Sequence, residues 1–127
     1  MTVVEQLDAF REGLSGCNIA VLVDLSTTMV LSKSSGGRVP QEDLDALAEA
    51  AREALDGPMA DAALGRDGET PEEALGSLVA TSSETRAFLR GAPGRHEALV
   101  CVCARDADVN AVFEGGREAL ARIMADG

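Results

Sequence analysis

The stretch Ile19-Ala-Val-Leu-Val-Asp24 is a continuous apolar run closed by an aspartate, and a second such run covers 98–104. Successive side chains of a strand point to opposite faces, so a run without a polar face predicts a strand covered on both sides. Two strands of this kind in one chain require helices on both faces of a sheet. This requirement decides the class of fold.

Three amphipathic patterns predict the helices that cover the sheet. The first spans 3–14, where Thr2 and Glu5 have the spacing of a capping box. The second begins at Pro40 and is stopped by Asp56-Gly-Pro58, and the third follows Asp106 or Asp108. The third is interrupted by Gly115-Gly116, and we expect close packing at Gly116. The apolar stripes are Val3, Leu7, Phe10 and Leu14; Leu44, Leu47, Ala48, Ala51 and Leu55; and Val109, Val112, Phe113, Leu120, Ile123 and Met124.

The remaining strands are predicted at 28–32, 75–83 and 85–90, with a loop at 34–37. The order is α-β-β-α-β-β-β-α, and the short connections indicate a mainly antiparallel sheet in an α+β fold. The length of 127 residues fits one domain, 1–127. Within it, 57–73 is predicted to be a long loop or a partly helical insertion.

The composition argues against several classes of partner. The net charge is −11, there are one lysine and ten arginines, and there is no Trp or Tyr. A nucleic-acid-binding protein needs a basic face, and anionic membranes also repel an acidic chain. No apolar run is long enough for membrane insertion, and no signal peptide is recognised. We therefore expect a cytoplasmic protein that binds neither nucleic acid nor membrane.

Residues with catalytic or metal-binding chemistry are few. The single histidine, His96, follows a Pro-Gly turn and is interpreted as solvent-facing. Cys101 and Cys103 form C-x-C on a central strand, where core packing is the preferred interpretation and metal or redox use the alternative. The glycine clusters match no nucleotide-binding motif. We expect no enzyme activity, no cofactor and no metal.

The acidity is concentrated in one part of the chain. Residues 42–73 carry eleven carboxylates and two arginines, a net charge of −9, and the rest of the chain carries −2. Such a region is either a solubility face or a docking face for a basic partner. Ala46, Ala50 and Ala54 form a row that permits close helix approach, or that reflects the high helix propensity of alanine.

The sequence resembles the Roadblock / dynein light-chain domain family. The resemblance rests on the first helix leading into Ile19-Ala-Val-Leu-Val-Asp24 and then Met29-Val-Leu31, the acidic helix 41–55, and the strand 99–103 followed by Asp106 and Asn110. Where the family usually has a glycine after the aspartate, this chain has Leu25-Ser-Thr-Thr28.

The resemblance implies a five-stranded antiparallel sheet with the long second helix on one face and both terminal helices on the other. It also implies a non-catalytic homodimeric scaffold or regulator, often of a small Ras-like GTPase or of a signalling or motor complex. The alternative is a small-molecule sensor of PAS-like or profilin-like type. The implied partner-docking face is Glu42, Asp45, Glu49, Arg52 and Glu53, and the implied dimer interface is Ala46, Ala50, Ala54, Leu78, Ala80 and Ser82.

Overall fold

The computed structural model describes residues 2–56, 76–80, 83–90 and 96–126, with side chains at 76–80, Asp56 and Asp126 excepted. The segment 57–73, predicted as a loop or insertion, lies outside these residues. The elements in chain order are α1 Val3–Glu12, β1 Cys17–Asp24, β2 Met29–Ser35, α2 Gln41–Asp56, β3 Gly76–Ala80, β4 Glu84–Arg90, β5 Glu97–Ala104 and α3 Val109–Asp126.

The strands form one sheet in the order β2-β1-β5-β4-β3, and each neighbouring pair is antiparallel. The predicted α+β class with an antiparallel sheet is confirmed. β5 lies at the centre with β1 beside it, so the two doubly apolar runs occupy inner positions. β2 and β3 lie at the two edges.

Two hydrophobic cores lie on opposite faces of the sheet. On one face, Ala20 and Leu22 of β1 pack in a core with α1 and α3. On the other face, Val21 and Val23 pack with α2. The alternation of side chains along a strand produces this division, because each β1 residue faces the opposite side from its neighbour.

The helix boundaries follow from local hydrogen bonds. At the start of α1, the Glu5 N–H donates to Thr2 Oγ1 at 3.1 Å and the Thr2 N–H donates to Glu5 Oε1 at 3.2 Å, so the predicted capping box is present. At the start of α3, Asp108 is the cap, since its Oδ1 accepts from the Ala111 N–H at 3.2 Å. These bonds satisfy N–H groups that the first helical turn leaves without partners.

The end of α2 depends on a residue from the sheet. α2 has no basic side chain in its last turn. Instead Arg90 of β4, only 5% exposed, donates through Nη2 to the carbonyl oxygen of Leu55 at 3.4 Å. A cation at a helix C-terminus interacts favourably with the helix dipole. The sequence places Arg90 on one face with Phe88, and the structure shows that α2 covers this face.

The prediction of a loop at 34–37 is wrong for its first half, because Ser34 and Ser35 belong to β2. Ser34 is 3% exposed, and its hydroxyl accepts from Arg11 Nε at 2.8 Å and donates to Asp8 Oδ1. Both partners come from α1. The polar end of β2 is therefore held by tertiary hydrogen bonds, which a local hydrophobic pattern does not reveal.

The β1–β2 turn combines a hydrogen-bonded aspartate with an unusual backbone angle. Asp24 Oδ1 accepts from the Ser26 hydroxyl at 2.6 Å and from the Ser26 N–H at 2.8 Å, and these bonds lower the pKa of Asp24. Thr28 has φ 55°, in the left-handed region. A β-branched residue is strained there.

Helix α3 packs closely against the sheet at Gly116. A Cβ added at this position would lie 3.1 Å from Leu89 Cδ2 and 3.4 Å from Leu99 Cδ2. The close packing expected at Gly116 is therefore confirmed, and it explains a glycine within a helix.

The variant Gly116→Val should lower the free energy of unfolding by about 2 kcal/mol, because the added methyl groups overpack the core against Leu89. The measurement is urea denaturation followed by circular dichroism. Ala121→Val on the exposed side of the same helix is the control, and it should cost only about 0.5 kcal/mol of helix propensity. Equal losses in the two variants would contradict the close approach.

The variant Thr28→Gly should raise the free energy of unfolding by about 0.5 kcal/mol, because glycine adopts positive φ without strain. Thr28 is the only non-glycine residue with positive φ in the described part of the chain. The neighbouring Thr27→Gly is the control and should be destabilising, since there glycine only adds freedom to the unfolded chain. A urea midpoint that falls in both variants would show that Thr28 is not strained.

Candidate protein-interaction surface

The outer surface of α2 presents the acidic residues predicted to form a docking face. The apolar stripe of α2, from Leu44 to Leu55, is buried against the sheet. Successive helical residues turn by about 100°, so this burial leaves the opposite side of the helix in solvent. All five residues of the predicted docking face are exposed: Glu42, Asp45, Glu49, Arg52 and Glu53.

This surface carries a concentrated negative charge. Over Gln41–Asp56 there are six carboxylates and one arginine, a net charge of −5. Asp45 Oδ1 accepts from Gln41 Nε2 at 3.0 Å. Across residues 2–56, 76–80, 83–90 and 96–126, no ion pair involves Glu42, Asp45, Glu49 or Glu53. Their charges are therefore not neutralised by ion pairs within these residues.

The alanine row lies on one flank of the same helix. Ala46 is exposed, while Ala50 and Ala54 are half-buried and pack against the core beneath α2. The absence of long side chains along this flank would let another helix come close. The docking face and the alanine row are therefore adjacent surfaces of one helix.

The predicted strand of the dimer interface is an edge strand. β3 pairs only with β4 in the described sheet, with Leu78 opposite Ala87 and Ala80 opposite Thr85. Ser82 lies outside the described residues. α2 contacts β3, so the predicted helix and strand of the interface are neighbours in the structure.

A groove of about 280 Å³ lies between the first half of α2 and the sheet. Ile19, Leu47 and Val102 form its apolar part. Its polar part includes Arg86, whose Nε lies 2.5 Å from Glu84 Oε2. Ala46 also lines it, so the groove adjoins the alanine flank of α2.

The cysteines are part of the core beneath α1 and α3, and all three are free thiols. A hydrogen bond with Cys101, together with burial, raises the pKa of Cys17 to about 12. A hydrogen bond with Cys17 and burial raise the pKa of Cys103. Thiols with raised pKa values remain protonated at neutral pH and react poorly as nucleophiles. Core packing, the preferred interpretation of Cys101 and Cys103, is confirmed.

The other side chains with possible catalytic or metal-binding chemistry do not cluster within the described residues. His96 is exposed just before β5, as predicted. In the part of the chain that the structure describes, no group of three or more His, Cys, Asp or Glu residues is arranged to hold a metal ion. A search of the same residues finds no helix with the length and hydropathy needed to cross a membrane.

Sequence reasoning missed the exposed apolar residues of β2. Met29 is 58% exposed and Leu31 is 50% exposed. The signal that the sequence offers is the apolar run Met29-Val-Leu31, since alternate residues of a strand face opposite sides. The pattern alone does not reveal that β2 is an edge strand, because strand order is a property of the assembled sheet.

Comparison with known proteins gives structural matches only. No family model matches the chain, and neither does any curated protein sequence. A Roadblock/LC7 domain from Streptomyces avermitilis is similar with TM-score 0.80 and 13% identity, covering 99% of this chain and 98% of that one. An MglB with a tetrameric arrangement is similar with TM-score 0.76 and 21% identity, covering 97% and 85%. The gliding protein MglB from Thermus thermophilus is similar with TM-score 0.71 and 24% identity, covering 98% and 90%.

These matches extend over nearly the whole chain at low sequence identity, so the likeness lies in the fold. The solved structures are those that the sequence resemblance predicts. The chain has the fold of Roadblock/LC7 domain proteins.

Proposed function

We propose that this protein is a non-catalytic scaffold or regulator that acts by binding another protein through the exposed face of α2. The observation that carries the proposal is the set of exposed carboxylates Glu42, Asp45, Glu49 and Glu53 on that face. The fold shared with Roadblock/LC7 domains supports it, because the resemblance implies a scaffold or regulator.

The partner that fits this face is a protein with a basic surface. A surface of one sign accelerates encounter with an oppositely charged partner and repels like-charged ones. The family resemblance implies a small Ras-like GTPase, or a component of a related signalling or motor complex. The three free cysteines are consistent with action in the cytoplasm, where thiols stay reduced.

The protein is further proposed to form a homodimer through the β3 edge and the alanine flank of α2. An edge strand can pair with the same strand of a second copy, and small side chains allow two helices to approach closely. The tetrameric arrangement of a structurally similar MglB supports self-association in this fold. Dimer formation would place two acidic α2 faces in one assembly.

The double variant Glu49→Lys/Glu53→Lys should abolish capture of the partner, because it places cations in the centre of the docking face. The measurement is affinity capture from a lysate of the source cells, quantified by mass spectrometry. A folded variant should keep the wild-type circular dichroism spectrum, since both positions are exposed.

The matched control is Glu114→Lys/Glu118→Lys. These residues have the same i, i+4 spacing, are exposed, and lie on α3 across the sheet. The control changes the net charge equally and should retain the partner. Unchanged capture by Glu49→Lys/Glu53→Lys would refute the docking face, and equal loss in both variants would show that only net charge matters.

The variant Ala46→Arg should convert the homodimer to a monomer, because a long charged side chain would separate the two α2 helices. Sedimentation velocity at micromolar concentration measures the change. Ala121→Arg, at an exposed position of α3, is the control and should remain dimeric. A wild-type protein that sediments as a monomer would overturn the proposed dimer.

A further inference from the structure

The second edge of the sheet presents a surface different from the one at β3. In the described sheet β2 pairs with β1 alone, so its outer side has no strand partner. Met29 and Leu31, both at least half exposed, lie on this strand. An edge strand offers a row of backbone donors and acceptors, and another chain can add to it as a further strand.

A bulge in β2 directs Leu31 toward a groove. Leu22 pairs with Ser32 while Val23 pairs with Val30, so Leu31 has no partner in β1. A bulge of this kind changes the direction of a side chain. Here Leu31 and Ser32 both line the groove on the α1 and α3 face, together with Leu22 of β1 and the acidic residue Glu97 of β5.

The groove is large and mainly apolar. It has a volume of about 550 Å³ and is bordered by Leu31 and Ser32 of the β2 edge. Val4 of α1, itself 48% exposed, contributes to one wall, and Ile123 and Met124 of α3 contribute to another. Its size accommodates one or two aliphatic side chains of a neighbouring strand.

The charge along β2 is opposite to the charge of α2. Residues 25–40 contain Lys33 and Arg38 and no carboxylate, although the chain as a whole has net charge −11. Lys33 and Arg38 are both exposed. Lys33 pairs with Val21, which faces α2, so Lys33 lies on the opposite face of β2 from the groove. A strand added here would meet apolar side chains on one face and a cation on the other.

The geometry points to a binding site at the β2 edge for an extended segment of a partner protein that alternates apolar and acidic residues. Its apolar side chains would lie over Leu31 and enter the groove, and its carboxylates would lie beside Lys33. The period of two residues in a strand matches this alternation. The site is separate from the docking face on α2, so either proposal can fail while the other holds.

The test uses the acetylated and amidated peptide Thr-Val-Glu-Val-Glu-Thr, added at millimolar concentration to the ¹⁵N-labelled full chain. Amide shifts of residues 29–35 should change and saturate. Leu31→Ser should weaken binding about tenfold, because it removes the apolar contact at the centre of the site. The peptide Thr-Val-Lys-Val-Lys-Thr should bind the wild type more weakly by a similar factor.

The control for charge is Lys33→Glu, which should reverse the preference so that the lysine peptide binds better than the glutamate peptide. This rescue separates recognition from unfolding. Absence of saturable shifts at residues 29–35, or shifts confined to α2, would overturn the proposal. If Leu31→Lys dissociates a wild-type assembly that Ala46→Arg leaves intact, a second copy of the chain occupies the edge and a partner segment does not.

Discussion

The pairing of β1 with β5 is the interaction on which the rest of the structure depends. Leu22 lies opposite Leu99 and supplies the core beneath α1 and α3, while Val21 lies opposite Val100 and supplies the core beneath α2. Because the same two strands contribute to both cores, neither helical layer packs independently of the other. Burial of each aliphatic side chain stabilises the folded state by about 1.5 to 3 kcal/mol. Disruption of this strand pair would therefore destabilise both helical layers.

This arrangement determines which surfaces remain for binding. With β1 and β5 covered on both faces, the accessible features of the described residues include the outer side of α2 and the two sheet edges at β2 and β3. These surfaces differ in chemistry. The outer side of α2 is strongly acidic, and β2 combines Met29 and Leu31 with Lys33 and no carboxylate. The two proposed sites would therefore recognise partners of different charge at separate places.

Several local features depend on residues that are distant in the sequence. α2 lacks a basic residue in its last turn, and Arg90 of β4 provides the cation there, 35 residues after Leu55. Ser34 remains in β2 through hydrogen bonds to Arg11 and Asp8 of α1. These polar contacts hold the end of α2 and the end of β2 to the rest of the molecule. Both positions lie where the hydrophobic pattern of the sequence is weakest.

The sequence by itself determined the features that depend on neighbouring residues. The capping box of Thr2 and Glu5, the two-sided burial of β1 and β5, and the exposed acids of α2 follow from spacing, because hydrophobic period and capping are local. The glycine at 116 also indicated close packing in advance. Only the tertiary structure decided that β2 is an edge, that its bulge exposes Leu31, and that Arg90 caps α2. Strand order and buried polar contacts join residues far apart in sequence, and no local pattern encodes which of them will meet.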